Sequence, residues 1–200
     1  AHSFAFDPVL NDGLRNALEK IPEQVRKKKQ ILVYGRPGTE RNAFNLVVAA
    51  LKKWVFMQPD IEEWEILSAG EMHRTVALGN GKELTSVGKL SIEEYANMLE
   101  ESYAGISLMC SPHPSYPPLE MSVFDVKTIT NTYANKDLKD FNENIISLDN
   151  ISPMNIAKHL VEICKSYQTE VRHIAANPLY VKNDHVFDFV EDIKKILDEE

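Results

Sequence analysis

Short apolar runs alternate along this chain with stretches whose apolar positions return every three or four residues, the spacing of one helix face. Gln30 to Tyr34 is the first such run, a buried strand by its pattern. It ends at Gly35, and a helix from about Asn42 to Val55 follows. Further strands are expected at Trp64 to Ala69, Val76 to Leu78 and Leu84 to Val87, then an amphipathic helix from Ile92 to Glu101. Gly105 to Met109, Lys127 to Thr130 and Ile145 to Leu148 complete the strands, and Pro153 to Tyr167 is a helix with proline in its first turn. Strands alternating with helices imply a parallel sheet covered on both faces. Right-handed crossovers make this an α/β fold, a doubly wound, Rossmann-like parallel sheet with its ligand crevice at the carboxyl ends of the strands. The core domain is expected over 30–168, with an N-terminal connector over 1–29 and a C-terminal tail over 169–200. The tail carries an acidic helix from about Val186 to Leu197, with Val186, Phe189, Val190, Ile193 and Leu197 on its apolar face.

Three connections carry candidate chemistry. From Gly105 to Glu120 an apolar strand runs into a loop with prolines at 112, 114, 117 and 118, and a helix from Leu119 to Phe124 follows. A helix start presents unpaired N–H groups and partial positive charge, so phosphate suits this geometry. Proline has no N–H, which leaves the amides of His113, Ser115, Tyr116, Leu119 and Glu120 as donors. The first strand-to-helix connection, Tyr34-Gly35-Arg36-Pro37-Gly38-Thr39-Glu40-Arg41, places two arginines five positions apart. Glycine there lets the backbone approach a ligand, and two guanidinium groups can clamp a diphosphate. The plainer reading of each arginine is a surface cation pairing with Glu40 or a neighbouring acid. In Val87 to Tyr95, Gly88 permits a turn and Ser91 with Glu94 forms a capping box, a feature that also occurs without any ligand.

Composition narrows the classes. The 200 residues are 44% hydrophobic and 26% charged, ordinary for a globular domain with one sizeable core. A formal net charge of -8 argues against a nucleic-acid partner, whose backbone is held by dense cationic surfaces. Arg26 to Lys29 is the one basic run, read as a solvated turn before the first strand, with membrane or pyrophosphate attraction as the other reading. No apolar stretch approaches bilayer length and no signal-peptide pattern opens the chain, so a cytoplasmic place is expected, with the inner membrane face admitted by that basic run. Cys110 and Cys164 have no metal spacing and read as buried thiols, and the six histidines are scattered, so no metal site is expected. Trp54 and Trp64 read as core, Asp125 as a turn cap, Gly70-Glu71 as a strand-ending turn, and His73 as exposed.

The phrase Ser111-Pro-His-Pro-Ser-Tyr-Pro-Pro-Leu-Glu120, with the two connections above, resembles the donor-binding half of GT-B glycosyltransferases of the retaining family 4 type. Within that group it is most similar to bacterial rhamnosyltransferases of surface polysaccharide. The likeness covers roughly 30–167 and implies a single GT-B half. It implies catalytic roles for Arg36 and Arg41, whose spacing is similar to the family's Gly-Arg-x4-Lys loop with Arg41 in the usual place of Lys. They would neutralise the departing pyrophosphate in place of a divalent cation, and no cofactor is implied. Substrate-binding roles fall to Gly35, Lys89, Leu90, His113, Ser115, Tyr116, Leu119 and Glu120. Main-chain groups of Lys89 and Leu90 would read the nucleobase edge. Glu120 aligns with the last Glu of a Glu-x7-Glu motif that accepts ribose hydroxyls, whereas the first Glu falls at Pro112, a departure from the motif. The His113 ring would reach a sugar hydroxyl, and the Ser115 and Tyr116 amides the phosphate and sugar.

The donor implied is a nucleotide-diphosphate sugar, rhamnose on a deoxythymidine carrier first. The partners implied are a glycan acceptor and an N-terminal acceptor domain outside these 200 residues, so this chain alone would not complete the transfer. The tail helix would be the element that crosses onto that domain. Two other readings stand beside this one. A sugar-nucleotide epimerase half would need His or carboxylate acid/base groups converging on the cleft, and the sequence makes none evident. A non-catalytic nucleotide-binding or protein-interaction module is told apart by whether Arg36, Arg41 and Glu120 converge on one cleft; if they point apart, the binding reading fails as well.

Overall fold

A computed structural model describes residues 8–113, 115–173, 178–182 and 189–198. In chain order its elements are α1 (Asp12–Leu18), β1 (Gln24–Arg26), β2 (Lys28–Gly35), α2 (Phe44–Trp54), β3 (Glu65–Gly70), β4 (Val76–Gly79), β5 (Lys82–Gly88) and α3 (Ile92–Glu101). There follow β6 (Ser102–Ile106), α4 (Tyr116–Val123), β7 (Lys127–Asn131), β8 (Ile145–Leu148), α5 (Pro153–Lys165), β9 (Glu170–Arg172), α6 (Pro178–Val181) and α7 (Phe189–Asp198).

Seven strands form one sheet in the order β4-β5-β3-β2-β6-β7-β8. Every neighbouring pair is parallel except β4 with β5, an antiparallel edge built on the turn at Asn80-Gly81. The apolar faces of α2 and α5 cover one side of the sheet, where Val47, Leu51 and Trp54 meet Ile156, Leu160 and Cys164. α1, α3 and α4 cover the other through Leu14, Leu99 and Leu119. Both faces are therefore buried, as a doubly wound parallel sheet requires. From β2 the chain winds outward through β3 and β5, then returns to wind the other way through β6, β7 and β8. The reversal falls between β2 and β6, and a crevice opens there at the strands' carboxyl ends.

Trp54 and Trp64 lie in the core, their rings edge to face with centroids 6.1 Å apart. At the amino end of β2, Lys29 donates to Asp60 and Glu63 and stands 5.4 Å from the Tyr167 ring centroid. Desolvation pushes the Asp60 carboxyl up, but hydrogen bonds from Lys29, Gln58 and Trp64 outweigh it and hold it down to about 2. Cys164 is buried and Cys110 half-buried, both as free thiols.

Two elements sit elsewhere than the apolar pattern expects. β6 starts at Ser102, directly after α3, and ends at Ile106, whereas Gly105 to Met109 is the apolar run. Beyond Ser107 the backbone leaves the ladder for side-chain partners: Asn131 Oδ1 accepts the Met109 N–H at 2.8 Å, and Lys136 donates to the Met109 carbonyl at 2.6 Å. Pro117 and Pro118 lie inside α4, because the first turn of a helix needs no N–H from them.

The stretch expected as an N-terminal connector is built into the fold. Leu10, Leu14 and Leu18 are buried beside Ala96 and Leu99, and β1 pairs antiparallel with β9 of the tail. Between those strands and the sheet, buried Lys27 donates to the carbonyls of Leu99 and Phe124. Asp125 is 2% exposed, has φ 60, and holds His173 Nδ1 at 2.5 Å, so it ties the tail to the end of α4. His73 is partly buried rather than exposed, because its Nε2 meets the Ser68 hydroxyl at 2.9 Å and its ring lies against Phe44. Of the tail helix's apolar positions, Phe189, Val190 and Ile193 are partly buried and Leu197 is 65% exposed, while Val186 lies outside the described residues.

Candidate functional site

At the reversal of winding the crevice divides into two adjoining lobes with Tyr34, Arg36 and Tyr95 as their common wall. The first lobe, of about 350 Å³, takes Arg41 and Asn42 from the β2–α2 connection, Met109, Ser111 and His113 from the stretch after β6, and Ser115, Tyr116 and Glu120 from the start of α4. The second, of about 380 Å³, takes Ala69 and Gly70 from the end of β3 and the span from Lys89 to Ile92 from the β5–α3 turn. Each group of residues follows the carboxyl end of a parallel strand, so the topology brings them together.

Arg36 is partly buried, Arg41 and Lys89 are exposed, and among the described residues none of the three is ion-paired. The pairing of Arg36 with Glu40 that a surface role would need is not formed. Three cations with no ion-pair partner among the described residues thus stand around one cleft, on a chain of net charge -8, and make the local potential positive. The β5–α3 turn has the expected capping box: Ser91 Oγ accepts from Glu94 N–H at 3.2 Å, and the Glu94 carboxylate accepts from Ser91 N–H at 2.8 Å. It presents Lys89 and Leu90 to the second lobe.

Glu120 sits half-buried in the first lobe, where burial pushes its carboxyl up to about 7 although the nearby Tyr95 hydroxyl opposes this. The Tyr95 phenol lies close to that carboxyl yet falls short of hydrogen-bond geometry, so among the described residues its buried hydroxyl has no partner. Tyr180, from α6 in the tail, is 2% exposed; burial and then the Glu120 charge push its hydroxyl up, and among the described residues that hydroxyl too has no hydrogen-bond partner. Sequence reasoning missed Tyr34, Tyr95, Tyr180 and Asn42. Tyr95 sits on the inward side of α3, one residue after Glu94, and a helical-wheel reading points to it; Tyr180 comes from a distant segment and carries no local signal.

Four expectations change. Gly35 lines neither lobe; its missing side chain makes room for Ser68, whose Oγ would lie 1.9 Å from a Cβ placed there. Leu119 also lies away from the cleft: its side chain is buried under the sheet, and its N–H stands fourth in α4, where intrahelical bonding begins. The Ser115 amide donates to His113 Nδ1 at 3.0 Å and the His113 amide to Ser111 Oγ at 3.2 Å, so both loop donors are engaged. The Tyr116 amide, at the first position of α4, has no partner among the described residues. Finally, an ionisable carboxyl and an imidazole, Glu120 and His113, do share the first lobe. His113 Nδ1 accepts a hydrogen bond, which puts the proton of a neutral ring on Nε2. Among the described residues no cluster of three or more His, Cys, Asp or Glu could hold a metal ion, and no helix is long and apolar enough to cross a membrane.

Comparisons with known proteins agree with this architecture. The chain is 35% identical over 127 residues to the O-antigen biosynthesis protein RfbC of Myxococcus xanthus, a match covering 63% of this chain and 10% of that protein. Among solved structures it resembles a glycosyltransferase from Rickettsia africae ESF-5, with TM-score 0.54, 15% identity, and coverage of 98% of this chain and 57% of that one. It also resembles AviGT4, a glycosyltransferase involved in avilamycin A biosynthesis, with TM-score 0.53, 13% identity, and coverage of 88% and 54%. At such identities the structures speak for the fold, a Rossmann-like half-domain. Residues 29–161, which hold β2 through most of α5 and every residue lining the cleft, match a family profile, and the chain belongs to the family described as WsaF, C-terminal domain.

Proposed function

We propose that this chain is the donor-binding half of a glycosyltransferase of the GT-B, family 4 type that moves a sugar from a nucleotide diphosphate to a glycan acceptor in surface polysaccharide synthesis. The observation that carries the reading is the convergence of Arg36, Arg41 and Glu120 on one lobe, with Lys89 and Leu90 on the lobe beside it. The second lobe takes the base against Leu90 and the backbone of the β5–α3 turn. Glu120 accepts a ribose hydroxyl at the junction. Arg36 and Arg41 neutralise the diphosphate and, as the sugar leaves, the charge that builds on pyrophosphate, with the first amide of α4 adding a fixed donor. That convergence argues against a module whose cations serve only the surface.

Rhamnose on deoxythymidine diphosphate is the first choice of donor, on the likeness of the proline-rich loop to rhamnosyltransferases. A deoxyribose offers Glu120 its 3′ hydroxyl alone, which suits a carboxyl crowded by Tyr95. The acceptor binds a separate half of the enzyme, so transfer needs more than these 200 residues. A sugar-nucleotide epimerase half is the second reading, favoured by Glu120 and His113 in one lobe.

Calorimetric titration with the diphosphates of deoxythymidine, uridine, guanosine and adenosine tests the proposal. One nucleotide is expected to bind saturably, and Arg36→Ala and Glu120→Ala each to weaken it about tenfold or more. Absence of binding by all four overturns it. Conversion of the sugar in a nucleotide sugar by this chain, followed by proton NMR, would favour the epimerase instead.

A further inference from the structure

We propose that Asn42, together with Ser115, holds a hydroxyl group of the transferred sugar; this rests on the donor-site reading above and adds a sugar subsite to it. Asn42 follows Arg41 in the connection to α2 and is 2% exposed, yet it lines the first lobe. Its Nδ2 donates to the Leu108 carbonyl at 3.2 Å, which fixes the amide's orientation. Oδ1 is left buried and, among the described residues, without a hydrogen-bond partner. Ser115 lines the same lobe from the start of α4, is 3% exposed, and its Oγ likewise has no partner among the described residues. Its backbone is held at φ 68, a conformation that a serine adopts only under constraint. A buried, unpaired polar atom costs about 1–3 kcal/mol, and two of them, from different connections and on residues that line one cavity, point to a ligand that completes both.

Their chemistry says which part of the ligand. An amide oxygen only accepts, and an ionised phosphate has no hydrogen to give it, so Asn42 Oδ1 excludes the diphosphate as its partner. A sugar hydroxyl donates to Asn42 Oδ1 and exchanges a second bond with the Ser115 hydroxyl, which can give or take. Arg36 and Arg41 already account for the diphosphate, Glu120 for the ribose, and the second lobe for the base, which leaves the sugar. Pro112 carries no side-chain acceptor, and Glu120 is the only carboxylate lining this lobe among the described residues, so the hydroxyl acceptor for the sugar is Asn42. Met109, 9% exposed and on the same wall, supplies an apolar surface for the ring.

The test titrates wild type, Asn42→Ala and Ser115→Ala with the tightest-binding of the four nucleoside diphosphates and with that nucleotide's rhamnose and glucose conjugates. Both variants are expected to bind the free diphosphate within twofold of wild type and to bind at least one conjugate about tenfold more weakly. Ser115→Ala decides alone if Asn42→Ala does not fold, since the Ser115 hydroxyl has no hydrogen-bond partner among the described residues. Equal weakening of diphosphate and conjugate, or no weakening of either, overturns the sugar subsite while leaving the donor site standing. Failure of wild type to bind any of the four diphosphates overturns the donor site itself, and this subsite with it.

Discussion

The Tyr95 hydroxyl and the Glu120 carboxyl meet in the wall of the cleft, close but short of a formed hydrogen bond, and burial holds Glu120 up to about 7. A carboxyl so placed is a cost to the free protein at neutral pH. The folded state binds this proton more tightly than the unfolded chain, whose carboxyl keeps the ordinary value of 4.5. Its contribution to stability is therefore full below 4.5 and is lost as pH rises through 7. Glu120→Gln is expected to match wild type at pH 4 and to exceed it by about 2 kcal/mol at pH 8.5. Urea denaturation at the two pH values checks this, and a gap that does not change with pH contradicts it. The same variant loses nucleotide affinity, which would mark the strain as belonging to the site.

Gly35 and Ser68 make a second close relationship. A Cβ at 35 would stand 1.9 Å from Ser68 Oγ and 3.0 Å from the Phe44 ring, between two central strands that have little room to part. Gly35→Ala is expected to destabilise the fold by about 2–3 kcal/mol. Adding Ser68→Ala is expected to recover part of that loss, measured by thermal melting of the single and double variants. Full stability of Gly35→Ala would show that the glycine is not kept by packing.

Lys27 gives a pH dependence of opposite sign. Burial lowers its ammonium to about 8 from 10.5, although Asp125 and Glu100 oppose the shift. Between pH 8 and 10.5 the unfolded chain holds the proton that the folded state has shed, so stability rises with pH across that window. Lys27→Met leaves the Leu99 and Phe124 carbonyls without their donor and is expected to cost about 2 kcal/mol at pH 7. It should also remove the rise above pH 8, as a denaturation series from pH 7 to 10 would show.

The strands were legible where apolar runs are bounded by glycine or a change of period, as at Gln30 to Gly35 and Ile145 to Leu148. β6 was not, because Leu108 and Met109 continue the apolar run while Asn131 and Lys136 take their backbone groups. The helix start at Tyr116 was hidden by prolines that look like loop residues but fit a first turn. Arg36, Arg41 and Glu120 could be placed in advance, since each follows a strand that the topology brings to the crevice. The engagement of the Ser115 amide by His113, and the arrival of Tyr180 from the tail, depend on tertiary geometry that no local pattern carries.

The most direct measurement is an amide proton–nitrogen NMR titration of the labelled chain with the four nucleoside diphosphates. Saturable shifts are expected with one of them, concentrated at Arg36, Arg41, Lys89, Leu90, Tyr116 and Glu120, across both lobes of the cleft. Shifts confined to Arg26–Lys28 and Glu100–Glu101, which line a separate hollow at the other end of the strands, or no saturable shift with any of the four, would contradict the donor-site reading.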